Sequence, residues 1–298
     1  MISESTRREV AVERVESPLG RWIVAHWSPP VSSQLDGLVE RVWYFDGAMT
    51  HAKERVFPDG TAELVVMLDE PHRDGDSPVL APFPAVCING SRTRPSVVVA
   101  PHGRCRVLGV SFAPLGASVL LRSAMKDLLD VTIDLRDALG KASDELGERC
   151  AGAAQASAWN AERNAVAAVD AATRWTMQRL RGRQGDPLMQ WASQSIREAH
   201  GVISIDELGA MLGLSRSQFG QRFRDLTGLG PKRFARIIRF RQALSLLGKA
   251  KNIASVATEL GYYDQAHMHR DFEEFARMTP GEFLSRDRYP NSASLAES

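Results

Sequence analysis

The sequence predicts an α+β protein, with a small N-terminal β-barrel, helices after it, and an all-α C-terminal domain. Three observations predict this fold class. A chain of 298 residues exceeds what one hydrophobic core usually serves, so two domains are expected. Short apolar runs separated by turn residues fill the chain to about residue 113, whereas helical periodicity dominates beyond residue 188.

The N-terminal runs alternate with tight-turn signals, notably Pro-Asp-Gly at 58–60 and Asn-Gly at 89–90. Several short strands at this spacing predict an antiparallel barrel or sandwich. Residues 1–180 form the predicted first domain, β-rich to about 113 and helical over 114–180. Its helices are predicted from stretches rich in alanine and leucine at 115–129, 135–150 and 159–180.

Glycines and a proline at 181–187 predict an interdomain linker. Residues 188–290 form the predicted second domain, and the polar tail from Asn291 onward is expected to fray. The chain has no run of about 18 apolar residues and no N-terminal segment resembling a signal peptide. A cytoplasmic protein without a membrane segment is therefore expected.

An enzyme in the β-rich half would need clustered metal ligands or a set of catalytic groups, and the pattern indicates neither. The cysteines lack the C-x₂-C spacing of a zinc or redox site, and the four histidines of the β-rich half are scattered without an H-x-H pair. Asp59 follows Pro58 and is interpreted as a turn residue. No catalytic residue, metal or cofactor is expected. The residues weighed are Cys87, Cys105, Cys150, His26, His51, His72 and His102.

Basic charge is concentrated in one part of the chain. Residues 204–251 hold ten Lys and Arg against three Asp and Glu, although the whole chain has a formal charge of only +1. A polyanion such as nucleic acid is the natural partner of such a patch, and a solvated helical surface is the alternative.

One sequence unit occurs twice in the C-terminal third. Residues 205–213 align with 253–261 at an offset of 48, and after one inserted residue the apolar and proline positions of both copies again coincide. Each copy predicts a helix, a tight turn and a second helix crossing the first, which is a helix-turn-helix unit.

Capping residues mark the ends of these helices. Ser204 with Glu207 predicts a capping box, and Gly213 and Gly261 end the first helix of each copy. The four predicted N-caps are Ser204, Ser215, Asn252 and Asp264.

The second helix of each copy buries an apolar stripe and leaves polar side chains outside, as a helix that enters the major groove does. Arginine and glutamine offer the bidentate geometry that reads base edges. Gly220 weakens the first of these helices, so the second is the stronger candidate for base reading. The predicted base contacts are Arg216, Ser217, Gln218, Gln221, Gln265, Ala266, His267, His269 and Arg270, with His267 favoured over His269.

A continuous helix over 231–247 is predicted to join the two units and fix their separation. Recognition helices in successive major grooves on one DNA face would lie roughly 34 Å apart. The predicted phosphate contacts are Ser215, Arg222, Arg224, Lys232, Arg239, Arg241 and Lys251.

These patterns resemble the AraC/XylS family of bacterial transcription regulators over residues 188–288. The most specific stretch, 253–283, reads I-A-x-V-A-x-E-L-G-Y-x-D-Q-A-H-M-x-R-x-F-x-x-F-x-x-M-T-P-G-E-F. The resemblance implies two helix-turn-helix units joined by a long helix. It also implies that the N-terminal part is a regulatory domain with a degenerate cupin-like barrel, followed by helices used for dimerisation.

The function expected from these observations is sequence-specific regulation of transcription, modulated by an effector. Double-stranded DNA is the expected partner, and RNA polymerase, a small-molecule effector and a second copy of the chain are candidate partners. The sequence specifies neither the effector nor the target DNA. A helical protein-interaction module and a cupin-type enzyme with an appended DNA-binding domain stay open as alternatives.

Overall fold

The computed structural model describes residues 10–247, 252–286 and 294–297. Within these residues, seven strands form one antiparallel sheet in the order β1-β2-β3-β9-β5-β7-β10, and four form a second sheet in the order β11-β4-β8-β6. The strands are β1 Ala11–Ser17, β2 Gly20–Trp27, β3 Val39–Met49, β4 Lys53–Val56, β5 Glu63–Met67, β6 Arg73–Asp74, β7 Val86–Asn89, β8 Ser96–Val99, β9 Arg104–Phe112, β10 Thr132–Asp134 and β11 Ser294–Glu297.

The predicted closed barrel is not confirmed, because no strand pairing among the described residues joins the two sheets into one cylinder. The coarser prediction, a sheet-rich N-terminal domain before a helical C-terminal one, is confirmed. The tail prediction is wrong for residues 294–297, since β11 pairs with β4 and Leu295 is buried.

Helices cover one face of the seven-stranded sheet. They are α1 Gly116–Leu121, a 3-10 turn Met125–Leu128, α2 Leu135–Leu139, α3 Lys141–Ala153 and α4 Ala161–Leu180. Alternate residues of β3, such as Val42 and Tyr44, face α4 and are fully buried. Two of the predicted helices are interrupted. Arg122 adopts left-handed backbone with φ of 55°, which ends α1 within the stretch 115–129, and Gly140 separates α2 from α3.

The linker residues are tied to the first domain. The Arg183 guanidinium donates to the carbonyl oxygens of Val119 and Leu120 at 3.0 and 2.8 Å. Asp186 accepts from the backbone N–H groups of Leu188 and Met189, and so caps the next helix.

The C-terminal helices are α5 Pro187–Glu198, α6 Ile205–Met211, α7 Arg216–Thr227, α8 Pro231–Leu247, α9 Ile253–Glu259, α10 Gln265–Ala276 and α11 Pro280–Leu284. The four predicted N-caps are confirmed, because each accepts a backbone N–H from the first turn of its helix. At Ser204 the hydroxyl accepts the Glu207 backbone N–H, which is one half of the predicted capping box. A complete box stands at α7, where the Ser215 and Gln218 side chains each accept the other residue's backbone N–H. Gly213 and Gly261 have left-handed backbone, as predicted for the helix ends.

The helical domain shares its apolar core with the N-terminal half. Phe57, just after β4, is 3% exposed, and its ring lies edge-on to Phe240 at 6.0 Å and to Phe283 at 6.2 Å between ring centroids. Leu115 and Leu295 belong to the same buried cluster. These residues extend the core of the helical domain to the N-terminal half, while the seven-stranded sheet packs with α3 and α4 in a core of its own.

Polar contacts extend this contact between the domains. Ser91 donates its hydroxyl to the Thr227 carbonyl oxygen at 2.8 Å, near the end of α7. Arg55 donates to the Ala276 carbonyl oxygen at 3.0 Å, at the end of α10. The N-terminal half therefore contacts α7 and α10 close to their C-terminal ends.

Candidate nucleic-acid interface

Helix α7 presents its first turns to solvent. Phe219 and Phe223 are buried against the helical core, with ring centroids 5.8 Å apart, and they fix the orientation of the helix. The opposite surface carries four of the predicted base-contacting side chains, all exposed: Arg216, Ser217, Gln218 and Gln221.

Both glutamines on this surface have hydrogen-bond partners within the protein. The Gln218 side-chain oxygen accepts from the Ser215 backbone N–H at 2.9 Å, so it stabilises the start of α7. The Gln221 amide donates to both carboxylate oxygens of Asp225 at 2.9 and 3.0 Å. Lys126 of the N-terminal half forms an ion pair with that carboxylate at 3.1 Å. The ion pair between Lys126 and Asp225 was not predicted, because their separation of 99 residues gives no local pattern.

Gly220 lies inside an unbroken helix. A Cβ atom added at this position would meet no other atom within 4 Å, so the side of α7 next to Gly220 is open. The predicted weakening of the helix by glycine does not interrupt α7.

Helix α10 presents its first turns in the same way. Met268, Phe272 and Phe275 are fully buried. The exposed surface carries Gln265, Ala266, His269 and Arg270, all predicted to contact bases.

His267 differs from these exposed neighbours. Its ring packs edge-on against Tyr262 at 5.2 Å between centroids, and its Nδ1 atom lies 3.5 Å from the Tyr263 backbone nitrogen. The half-buried His267 ring thus packs against the protein, whereas His269 is exposed, and the preference for His267 as a base contact stays a prediction.

The predicted phosphate contacts fall into three groups. Arg224, Lys232 and Ser215 are exposed near α7 and at the start of α8. Arg222 is partly exposed, but its Nε donates to the Asp186 carboxylate at 2.5 Å. Lys251 lies outside the described residues.

Arg239 and Arg241 form the third group, and their positions disfavour the predicted phosphate contacts. The Arg239 side chain is 13% exposed, and its guanidinium carbon stacks 4.4 Å from the centre of the Tyr262 ring. Burial lowers the pKa of Arg241, and the charges of Asp59 and Glu40 in the N-terminal half oppose that effect. Arg241 is half-buried, near these two carboxylates.

In the described part of the chain, the cysteines and Asp59 lie in surroundings that suit structural residues. Burial raises the pKa of Cys87, Cys105 and Cys150 to about 12, 11 and 12, which disfavours their nucleophilic thiolate form. Asp59 accepts the Thr61 backbone N–H at 2.9 Å, as a turn residue does. Among the described residues, no group of three or more His, Cys, Asp or Glu could hold a metal ion. No helix of the same residues is long and apolar enough to cross a bilayer.

Comparisons with known proteins match the two halves separately. Residues 208–286 match a helix-turn-helix domain family, and residues 28–134 match a domain of unknown function (DUF6597). An uncharacterized HTH-type transcriptional regulator of Haemophilus influenzae is 28% identical over 80 residues, which are 26% of this chain and 27% of the relative. The chain thus spans about a quarter of the length of that curated relative.

Solved structures with some likeness include the DNA-binding domain of AdpA in complex with a target DNA. It is 25% identical over 34% of this chain and 92% of that chain, with a TM-score of 0.31. ToxT from Vibrio cholerae is 11% identical over 81% of this chain and 95% of that chain, with a TM-score of 0.44. At such TM-scores these likenesses define neither the fold nor the function of this chain.

The fold and the family match define a class. The C-terminal part is a helix-turn-helix DNA-binding domain with two units, in which α6 and α7 form the first and α9 and α10 the second. This domain is of the AraC type, so the predicted AraC/XylS resemblance is confirmed for residues 208–286.

Proposed function

We propose that the protein is a transcription regulator that reads two successive major grooves of double-stranded DNA with α7 and α10. In this proposal the N-terminal half is the regulatory part and has no enzymatic activity. The helix-turn-helix match covers only residues 208–286. The proposal for the whole chain therefore also uses the contacts between this domain and the N-terminal half.

One observation carries the proposal. The N-terminal half contacts α7 and α10 close to their C-terminal ends, through Ser91 and Arg55, while the first turns of both helices are exposed. A recognition helix contacts base edges mainly through its N-terminal residues. The N-terminal half therefore contacts both helices at their C-terminal ends and leaves their N-terminal turns accessible to DNA.

Within this proposal, exposure assigns the roles of the side chains. Gln265, His269 and Arg270 are the base-reading candidates on α10, and Arg216 and Gln221 are those on α7. Arg224, Lys232 and Ser215 are the candidates for phosphate contact. We transfer no phosphate role to Arg239 or Arg241, because both side chains are used inside the protein.

The regulatory role of the N-terminal half is supported by the shared core, through which a change in the sheets would reach both recognition helices. A small-molecule effector, RNA polymerase and a second copy of the chain belong to the proposal as partners. The proposal also includes a degenerate cupin-like fold of the two sheets. Their antiparallel strands, joined by tight turns, support it. The effector is sought by thermal-shift screening of the full chain with metabolites, where a specific ligand raises the unfolding temperature.

The test is selection of binding sites from random double-stranded DNA by the full-length protein. We expect an enriched motif with two half-sites about 10–10.5 base pairs apart, and affinity that falls steeply as salt rises. Gln265→Ala should relax the preference in one half-site only. The matched control is Gln155→Ala, an exposed glutamine in the loop before α4, which should leave the motif unchanged. Failure to enrich any motif at low salt would favour the protein-interaction alternative and refute the proposal.

A further inference from the structure

Three arginines of the connector helix α8 face the second recognition helix. Arg233 contacts Glu274 at 2.6 Å, and Arg236 contacts Asp271 at 2.7 Å and Glu274 at 2.5 Å. An ion-pair network thus joins the connector to α10, in addition to the apolar packing between them.

Asp271 is the centre of this network. Its side chain is completely buried, and a buried carboxylate is tolerated only when cations and hydrogen bonds compensate for the lost water. Arg236 donates twice to Oδ1, at 3.0 and 2.7 Å. Among the described residues, Oδ2 has no hydrogen-bond partner, and the Arg239 guanidinium lies 3.6 Å from it. Replacing Arg239 would therefore leave half of a buried carboxylate without its counter-charge.

Arg239 also reaches the turn that starts α10. Its guanidinium stacks 4.4 Å from the centre of the Tyr262 ring, and Tyr262 in turn packs against His267 in the first turn of α10. Burial, together with the charge of Asp271, raises the pKa of Tyr262, so its hydroxyl stays neutral. One side chain of the connector thus touches α10 through two routes, the Asp271 carboxylate and the Tyr262 ring.

We propose that Arg239 is a positioning residue, which sets the orientation of α10 in its groove and thereby the base preference of the second half-site. The proposal rests on the proposed function, and it replaces the phosphate contact expected from the sequence. A recognition helix needs such support, because reading groups held about 0.5 Å from their required geometry lose much of their effect.

The two roles of Arg239 predict opposite results for two substitutions. Arg239→Lys keeps the charge that a phosphate contact needs, but it loses the planar group that stacks on Tyr262. Arg239→Gln removes the charge. A lost phosphate contact lowers the slope of log affinity against log salt by about 0.9, whereas lost positioning leaves that slope unchanged.

The experiment measures binding of the full-length variants to the selected DNA and to two probes, each with one half-site scrambled. With Arg239→Lys and Arg239→Gln we expect discrimination at the α10 half-site to fall about tenfold or more, which is the size of one good base contact. Base discrimination at the α7 half-site and the slope of log affinity against log salt should equal those of the unmodified protein. The matched control is Lys232→Gln, an exposed cation of the same helix, which should lower the slope and keep both preferences.

Retained discrimination in Arg239→Lys, or a slope lowered by about 0.9 in Arg239→Gln, would overturn the proposal. So would an equal loss at both half-sites. If the variants unfold, Tyr262→Leu tests the stacking route with the ion pairs intact, and it should affect the α10 half-site alone. If the unchanged protein selects no DNA, the proposed function fails by itself. The positioning role of Arg239 is then tested by amide hydrogen exchange of α10. Equal protection of the α10 amides in Arg239→Gln and Lys232→Gln would refute it.

Discussion

Replacing Phe57 by alanine tests whether the two halves of the molecule share one core. The ring is 3% exposed and lies edge-on to Phe240 and Phe283 in the helical domain, although Phe57 follows strand β4 of the N-terminal sheets. Losing the burial of a phenylalanine ring costs about 1.5–3 kcal/mol, and each aromatic pair adds about 0.5–1.5 kcal/mol. We expect the free energy of unfolding to fall by about 3–5 kcal/mol, the usual range for this truncation in a core.

The assay is urea unfolding of the full-length protein, followed by far-ultraviolet circular dichroism and by tryptophan fluorescence. In the unmodified protein both signals should change together, because the contacts of Phe57, Arg55 and Ser91 couple the unfolding of the helical domain to that of the sheets. In Phe57→Ala the helical signal should be lost at lower urea concentration. The matched control is Trp159→Ala, since Trp159 is 96% exposed and its loss should change stability by less than about 0.5 kcal/mol. A loss below about 1 kcal/mol for Phe57→Ala would refute the shared core.

Three further predictions concern single sites. Gly60→Ala should destabilise the protein by more than about 1 kcal/mol in the same assay, because φ is +81° and the new Cβ would lie 2.8 Å from the Phe234 ring. Lys126→Ala should change stability by less than about 1 kcal/mol, since its ion pair is half-exposed. It should nevertheless weaken DNA binding, because the negative charge of Asp225 on α7 would lose its counter-charge. Adding Asp225→Asn should restore that binding, and unchanged affinity in the single variant would contradict this reasoning. The three buried thiols should react with Ellman's reagent only after unfolding, because burial raises their pKa, and fast labelling of the native protein would contradict this.

The C-terminal architecture could be predicted because its signals are local. Ser215 and Asp264 cap helices by bonding to a backbone N–H three residues away, and Gly213 ends a helix through its own backbone angle. Such features need no knowledge of the rest of the fold. The same is true of the repeat, whose two copies bury equivalent apolar positions.

The roles of Arg239 and Arg241 could not be predicted from the same sequence. Both arginines belong to a basic helix, yet their surroundings are residues far away in the chain, Tyr262 for the first and Asp59 for the second. Basic composition indicates a surface for a polyanion, but it does not tell which cations point there. The exposure of each side chain depends on the packing of whole domains.

The N-terminal half shows the same limit for backbone structure. Alanine and leucine predicted one helix over 115–129. Instead Arg122 adopts a left-handed conformation that ends α1, and Asp130 adopts another just after the 3-10 turn. Helix propensity is a weak preference of a fraction of a kcal/mol per residue, which tertiary packing overrides. The turn at Met125–Leu128 is held in this shape where it contacts α7.

The open space beside Gly220 has a consequence for how this regulator can evolve. A Cβ atom placed there meets no neighbour within 4 Å, and alanine in place of glycine would favour the helix by about 1 kcal/mol. Substitution at this one codon can therefore add a new reading group to α7 without a penalty in folding. Under the proposed function, the DNA preference of α7 is therefore open to change by a single mutation while the rest of the protein stays as it is.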